Sequence, residues 1–303
     1  MTAENTTIVA PLVPEDERNF MNDQVFKFVF GKEARKDITM DFLNALLQDE
    51  LESPIRDLQF LPQECSADAS DDKEPRLDVV CRLDNGSQVD IEVQLSEQCD
   101  MAQRSLYYWA TKYRSGLRKG GTYDELTPMI AVNILGFRYF QGDEPLSSWG
   151  IYNKKTGERL TNHLSLNFLE IPKFSAMEKP RSKWTRIERW MCYFSDKISV
   201  AKKKELLMQD AVISRAIEAT EQFFQDPVQR QIYLERERAR LDRLSNEKYS
   251  YQKGREEGRE KECEANILNA LSELSLAQVV RIFKKTPEYV RSVAQKHGMV
   301  LTE

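Results

Sequence analysis

Two short alternating segments leave this chain the least freedom. Residues 76–83 carry Leu77, Val79, Cys81 and Leu83 at every second position, and residues 89–95 do the same with Val89, Ile91, Val93 and Leu95. A period of two is the signature of a β-strand with one face in a core. Between them lies Asp84-Asn85-Gly86-Ser87-Gln88, residues that tolerate positive φ or hydrogen-bond their own backbone, so the segments form an antiparallel hairpin. Both apolar sets must meet one core. Pairing Asp84 with Ser87 across a two-residue loop would put them on opposite faces, whereas pairing Asp84 with Gln88 across three residues aligns them. The predicted register puts Asp78, Val80 and Arg82 with Asp90, Glu92 and Gln94 on the second, solvated face. Asp78 then lies opposite Gln94 and diagonal to Glu92, with backbones roughly 7–8 Å apart.

The hairpin sits in an ordered series of elements. Ile38, Phe42, Leu43, Leu46 and Leu47 follow helical spacing. A helix is predicted over 100–118, with Leu106, Trp109, Ala110 and Tyr113 on one side. Residues 127–137 form a nearly continuous apolar run with Pro128 at its entrance, as in a strand buried on both faces. Helix, hairpin, helix, strand is the order of an α/β domain with a mixed central sheet flanked by helices. From Trp184 onward the pattern is helical, so the C-terminal extension is expected to be all-helical. The divisions expected are a flexible tail over 1–18, the mixed core over 19–175, a helical extension over 176–229, a charged helical linker over 230–264 and a small helical pair over 265–303. From Glu235 to Glu264 nine basic residues balance nine acidic ones, which supports a solvated helix and no core. Ser275-Leu276-Ala277-Gln278 is a capping box, and Thr286-Pro287 a second helix start.

Composition narrows the chemistry. Two histidines, His163 and His297, exclude a histidine-rich metal site, and a catalytic triad would be hard to build. The five cysteines are scattered without a C-x-x-C, as expected of reduced packing thiols in a cytoplasmic protein. No apolar run is long enough for a membrane span, and the N-terminus has no signal pattern. No glycine-rich phosphate loop is present, so no nucleotide cofactor is expected. Chemistry must then rest on carboxylates. Asp78 and Glu92 can converge on a hard divalent cation, which takes oxygen ligands and needs no histidine; the alternative is a pair of strand carboxylates in water.

Asp78 followed after the hairpin by Ile91-Glu92-Val93-Gln94 resembles the core of PD-(D/E)xK nucleases, in the variant where Gln replaces Lys. The flanks narrow the resemblance: Asp23 before Phe26-Lys27-Phe28-Val29-Phe30-Gly31, Phe42-Leu43-Asn44, Arg104 and Tyr108, Gly121-Thr122-Tyr123, Leu135-Gly136-Phe137, and Leu169-Glu170-Ile171-Pro172-Lys173-Phe174. Together they are similar to the recombination-promoting nuclease (Rpn), transposase-like family over roughly residues 20–260. The resemblance implies a restriction-endonuclease-like core and metal-dependent DNA endonuclease activity, in genome rearrangement or phage defence. Asp78, Glu92 and the Val93 carbonyl would hold Mg²⁺, with Mn²⁺ as a substitute, and Gln94 would orient the attacking water. Asp23 matches the acidic residue that many members bring near the metal; its alternative is an N-cap for the helix that follows.

DNA is the expected partner. Arg104 and Tyr108 lie four residues apart on one helical face, placed to bind a phosphate together or, alternatively, to pair with an acid and pack. Lys112, Arg114, Arg118 and Lys119 form a basic cluster around Tyr113, suited to phosphate contacts or simply a solvated face. At the C-terminus Arg281, Lys284, Lys285, Arg291 and Lys296 stand against Glu288. That pair is read as a homodimerisation module, with DNA reading as the alternative. The competing reading of the whole chain is a catalytically weak or inactive nuclease fold that binds DNA or a protein partner.

Overall fold

The computed structural model describes residues 11–62, 79–96, 100–174 and 180–299. Asn22 opens α1 (Asp23–Phe30) by accepting the Gln24 N–H on its side chain, satisfying a donor the helix itself leaves orphaned. α1 buries Val25, Phe26, Val29 and Phe30, and α2 (Lys36–Leu46) buries Ile38, Phe42, Leu43 and Leu46, the stripe its spacing predicts. These rings pile against Trp190, Tyr193 and Phe194 of α5 (Arg186–Phe194), a helix started by a Thr185–Glu188 capping box. With α6 (Val200–Leu207) and α7 (Ala211–Gln225) they make the larger core.

That core lies on one face of a six-stranded mixed sheet. Its members are β1 (Leu58–Phe60), β2 (Val79–Leu83), β3 (Gln88–Gln94), β4 (Met129–Leu135), β5 (Leu146–Trp149) and β6 (Leu164–Glu170), in the order β1-β2-β3-β4-β6-β5. β3, β4 and β6 run parallel at the centre, and the other pairings are antiparallel. Val79, Cys81, Leu83, Val89 and Ile91 all enter the larger core, as alternation requires. β4 is buried at every position, in agreement with its unbroken apolar run.

The hairpin register differs from the expected one. Leu83 pairs with Ser87, its N–H donating to the Ser87 carbonyl at 2.8 Å, and Val80 pairs with Asp90 rather than the partner two residues on. The loop is still three residues long, but it is Asp84-Asn85-Gly86. Gly86 has φ +86° and donates to the Leu83 carbonyl at 2.9 Å. A three-residue hairpin loop ends in a left-handed residue, and the expected offset would have forced Ser87 into that conformation. Moving the pairing by an even number keeps every side chain on its face.

α3 (Met101–Ser115) crosses the second face, over β4 and β6. Met101 joins Ala131, Leu135, Leu164, Leu166 and Phe168 in a smaller core, with Trp109 packed at its side. The apolar side predicted for this helix is partly misplaced: Leu106 is 47% exposed and Ala110 is also exposed, because the sheet-facing positions are Met101, Ser105, Trp109 and Tyr113. β1, β5 and β6 are strands that local pattern does not announce. β6 hides its period behind Ser165 and Asn167, buried polar residues that satisfy one another and Glu50 and Ser148.

After the short α4 (Ile171–Phe174), the chain continues through α5–α7 to α8 (Pro227–Leu271), α9 (Leu276–Phe283) and α10 (Pro287–Lys296). Two compact units result, one ending at Glu235 and the second beginning at Arg236. The first includes the start of α8, where Arg230 and Tyr233 are buried. In the second, Ile267, Val279, Val290 and Val293 form a small core, and both predicted caps are present at Ser275 and Thr286.

Candidate active site

The second face of β3 carries Asp90, Glu92 and Gln94. It is not the solvated face expected from alternation: Asp90 is 2% exposed and Glu92 is 7% exposed, because α3 returns over this side of the sheet. The parallel pairing sets Glu92 beside Asn133 of β4. Asn133 is held on both sides, accepting from the Ser105 hydroxyl at 2.8 Å and donating to the Asn167 carbonyl at 3.2 Å. Gln94, half-buried at the strand end, donates to the Ser96 carbonyl at 3.3 Å.

α3 brings the cation. The Arg104 guanidinium lies over the Tyr108 ring, 5.2 Å from its centre, a favourable cation–π contact. Burial raises the Tyr108 phenol above its usual range, and the nearby negative charge of Glu92 raises it further, while Arg104 pulls it down. That coupling gathers Glu92, Arg104 and Tyr108 into one electrostatic neighbourhood. The residues four apart on the helix thus share a face, and that face looks toward the acidic strand.

Asp23 occupies the first helical position of α1, where it accepts from Gln24 Nε2 at 2.8 Å. The N-cap is Asn22, so the capping alternative for Asp23 is corrected. Asp78 lies outside the described residues, as do Cys65 and Cys99. Of the basic cluster, Lys112 and Arg118 line a cavity of about 630 Å³ beside the hairpin, whereas Arg114 and Lys119 are exposed and do not line it. That cavity is also bordered by Arg82, which alternation places on this face without giving it a role. Asn133 and Ser105 carry no local signal in the sequence either, since their meeting depends on a contact between residues 28 apart.

Among the described residues the donors on this face are carboxylates, an amide and strand carbonyls, with neither thiol nor imidazole. His163 is engaged with the Tyr113 hydroxyl at 2.8 Å and His297 with Glu264. The pKa of the Cys81 thiol, on the opposite face, is pushed up to about 12 by burial and then by Asp90, which makes it a poor nucleophile or ligand. An oxygen-rich set of this kind fits a hard divalent cation. Among the described residues no three His, Cys, Asp or Glu side chains converge on one point.

A mixed sheet flanked by helices, with a buried glutamate on its third strand, has the architecture that the nuclease resemblance implies. The model of the PD-(D/E)XK nuclease family transposases matches residues 20–250, and the chain belongs to that family. Nucleases of this superfamily generally use divalent metal ions. Neither a curated protein nor a solved structure matches the chain.

Proposed function

We propose that this protein is a Mg²⁺-dependent DNA endonuclease. The observation that carries the reading is the buried Glu92 carboxylate in the electrostatic neighbourhood of the Arg104–Tyr108 pair. Glu92, the Val93 carbonyl and Asp78 are assigned to the cation, with Mn²⁺ able to replace it. When bound, a divalent ion polarises a phosphoryl oxygen and lowers the pKa of water. Gln94 orients the attacking water through its amide. Being uncharged, Gln94 cannot stabilise charge developing on the phosphate as a lysine would. Arg104 takes that task, with Tyr108 holding its guanidinium in place, and Asp23 stands as an outer acidic residue on α1. The family supports DNA rearrangement as the setting, and the protein is assigned to the cytoplasm.

The test is cleavage of supercoiled and linear DNA by the full chain with Mg²⁺, Mn²⁺ or chelator. Wild type should cut only with metal. Glu92→Gln and Asp78→Asn should each lose cutting by at least about a hundredfold, as expected when a group acting on the reacting phosphate is removed. Glu92→Gln should keep the wild-type circular-dichroism spectrum, because the amide is isosteric. Cutting by Glu92→Gln at the wild-type rate would sink the assignment, and absence of cutting by wild type would favour a nuclease fold used for binding alone.

A further inference from the structure

Arg104, Tyr108, Lys112 and Ser115 follow one another at helical spacing on α3. Across from them the outward face of the hairpin descends in rows: Glu92, then Asp90 paired with Val80, then Gln88 paired with Arg82. The last rows border the cavity of about 630 Å³, whose lining includes Val80, Arg82, Gln88, Lys112, Ser115 and Arg118. Among the described residues Arg82, Lys112 and Arg118 enter no ion pair. Glu125 is the one carboxylate on the rim among the described residues, and it accepts from the backbone N–H and hydroxyl of Thr122. Among the described residues the hollow thus has three cations against one carboxylate, a local excess of positive charge in a chain of net charge -5.

The hollow is also placed with respect to the chemistry. Gln88 lies four residues from Glu92 along β3, or about 13 Å at the rise of an extended strand. The backbone of one B-form strand rises about 3.4 Å per nucleotide while winding around the axis, so that straight-line distance spans only about two nucleotides. We propose that this groove is a second phosphate subsite, holding the DNA backbone about two nucleotides from the bond that is cut, with Arg82 and Arg118 as its principal contacts. An arginine fork matches phosphate oxygens in pairs, and the cavity is too polar for an apolar ligand. The inference rests on the DNA-cleaving reading for its ligand, but its test does not require cutting.

Binding of a fluorescent, blunt duplex with 5′-hydroxyl ends is followed by anisotropy over a salt series, using the full chain carrying Glu92→Gln. Adding Arg82→Ala and Arg118→Ala together should weaken binding about tenfold or more and flatten the slope of log K against log salt by about 1.8, close to 0.9 for each phosphate that is no longer neutralised. Arg82→Lys with Arg118→Lys should restore most of the slope, since the charges return. Both arginines are exposed, so the fold survives their removal, which melting curves check. Lys202→Ala, on α6 in the opposite layer, should leave affinity and slope unchanged. An unchanged slope in the double alanine variant would overturn the subsite. So would a weakening confined to duplexes with 5′-phosphate ends, which would give the groove to a terminal phosphate. A flattened slope without any cutting by wild type would keep the subsite and remove the endonuclease, and cutting with an unchanged slope would do the reverse.

Discussion

A lysine ammonium inside an aromatic core is costly unless it gives up its proton. Lys203 on α6 is buried, with its nitrogen 3.9 Å from the centre of the Phe20 ring. Burial lowers its pKa from 10.5 to about 7, against weaker upward pulls from Cys192 and Asp196. Between those two values the unfolded chain holds more protons than the folded one, so stability rises with pH across that window, and below about 7 the penalty is complete. Lys203→Met should therefore be more stable than wild type near about pH 6.5, by a margin that closes toward about pH 10. Urea midpoints of both proteins against pH check this; parallel curves would show that Lys203 keeps its charge in the core. The sequence displays Lys202, Lys203 and Lys204 alike, and only packing distinguishes the middle one. Glu92 teaches the same lesson in the other direction, since alternation places it on a face that α3 then removes from water.

At the scale of elements, the hairpin shows how far local pattern reaches. Alternation decides which side chains share a face and forbids an odd shift, but an even shift leaves the pattern satisfied. The turn decides between the even offsets. Gly86 at φ +86° closes the loop, with the Asn85 side chain accepting the Ser87 N–H at 3.0 Å. A methyl added to Gly86 would meet no atom within 4 Å, so the cost of Gly86→Ala is purely conformational, about 1–2 kcal/mol for a left-handed alanine. Gly86→Asn should lose less, because asparagine enters that region more readily. Thermal or urea unfolding ranks the three proteins, and equal stability of Gly86→Ala would mean that the loop can adopt another turn.

At the scale of the molecule, chemistry and association are assigned to different units. Every residue given to metal, water or phosphate lies at or before Lys119, while the second unit, among the described residues, buries Ile267, Val279, Val290 and Val293 under partly exposed apolar neighbours and leaves Ile282 exposed. We propose that this unit serves homodimerisation. A chain shortened at the expected boundary of Gln229 would lose Tyr233, whose hydroxyl ties Glu17 and Asn19 to the first unit. A chain ending at Arg240 keeps that anchor. It should retain metal-dependent cutting and run as a smaller species than the full chain in light scattering. If both ran as monomers and the shorter one lost DNA binding, the helical pair would be a DNA reader instead.

The sequence by itself determined the hairpin, the faces of its strands, the doubly buried β4, the helix caps and the Glu92-Val93-Gln94 signature of the family. Each of these is written within a few neighbouring residues, where periodicity and turn chemistry act directly. The tertiary structure alone decided the strand offset, the burial of Glu92, the Ser105–Asn133 contact and the union of Arg82 with Lys112 and Arg118. Those depend on where α3 crosses the sheet and on which strands lie side by side. Such choices follow from the best joint burial of segments distant in the chain, and no local pattern records them.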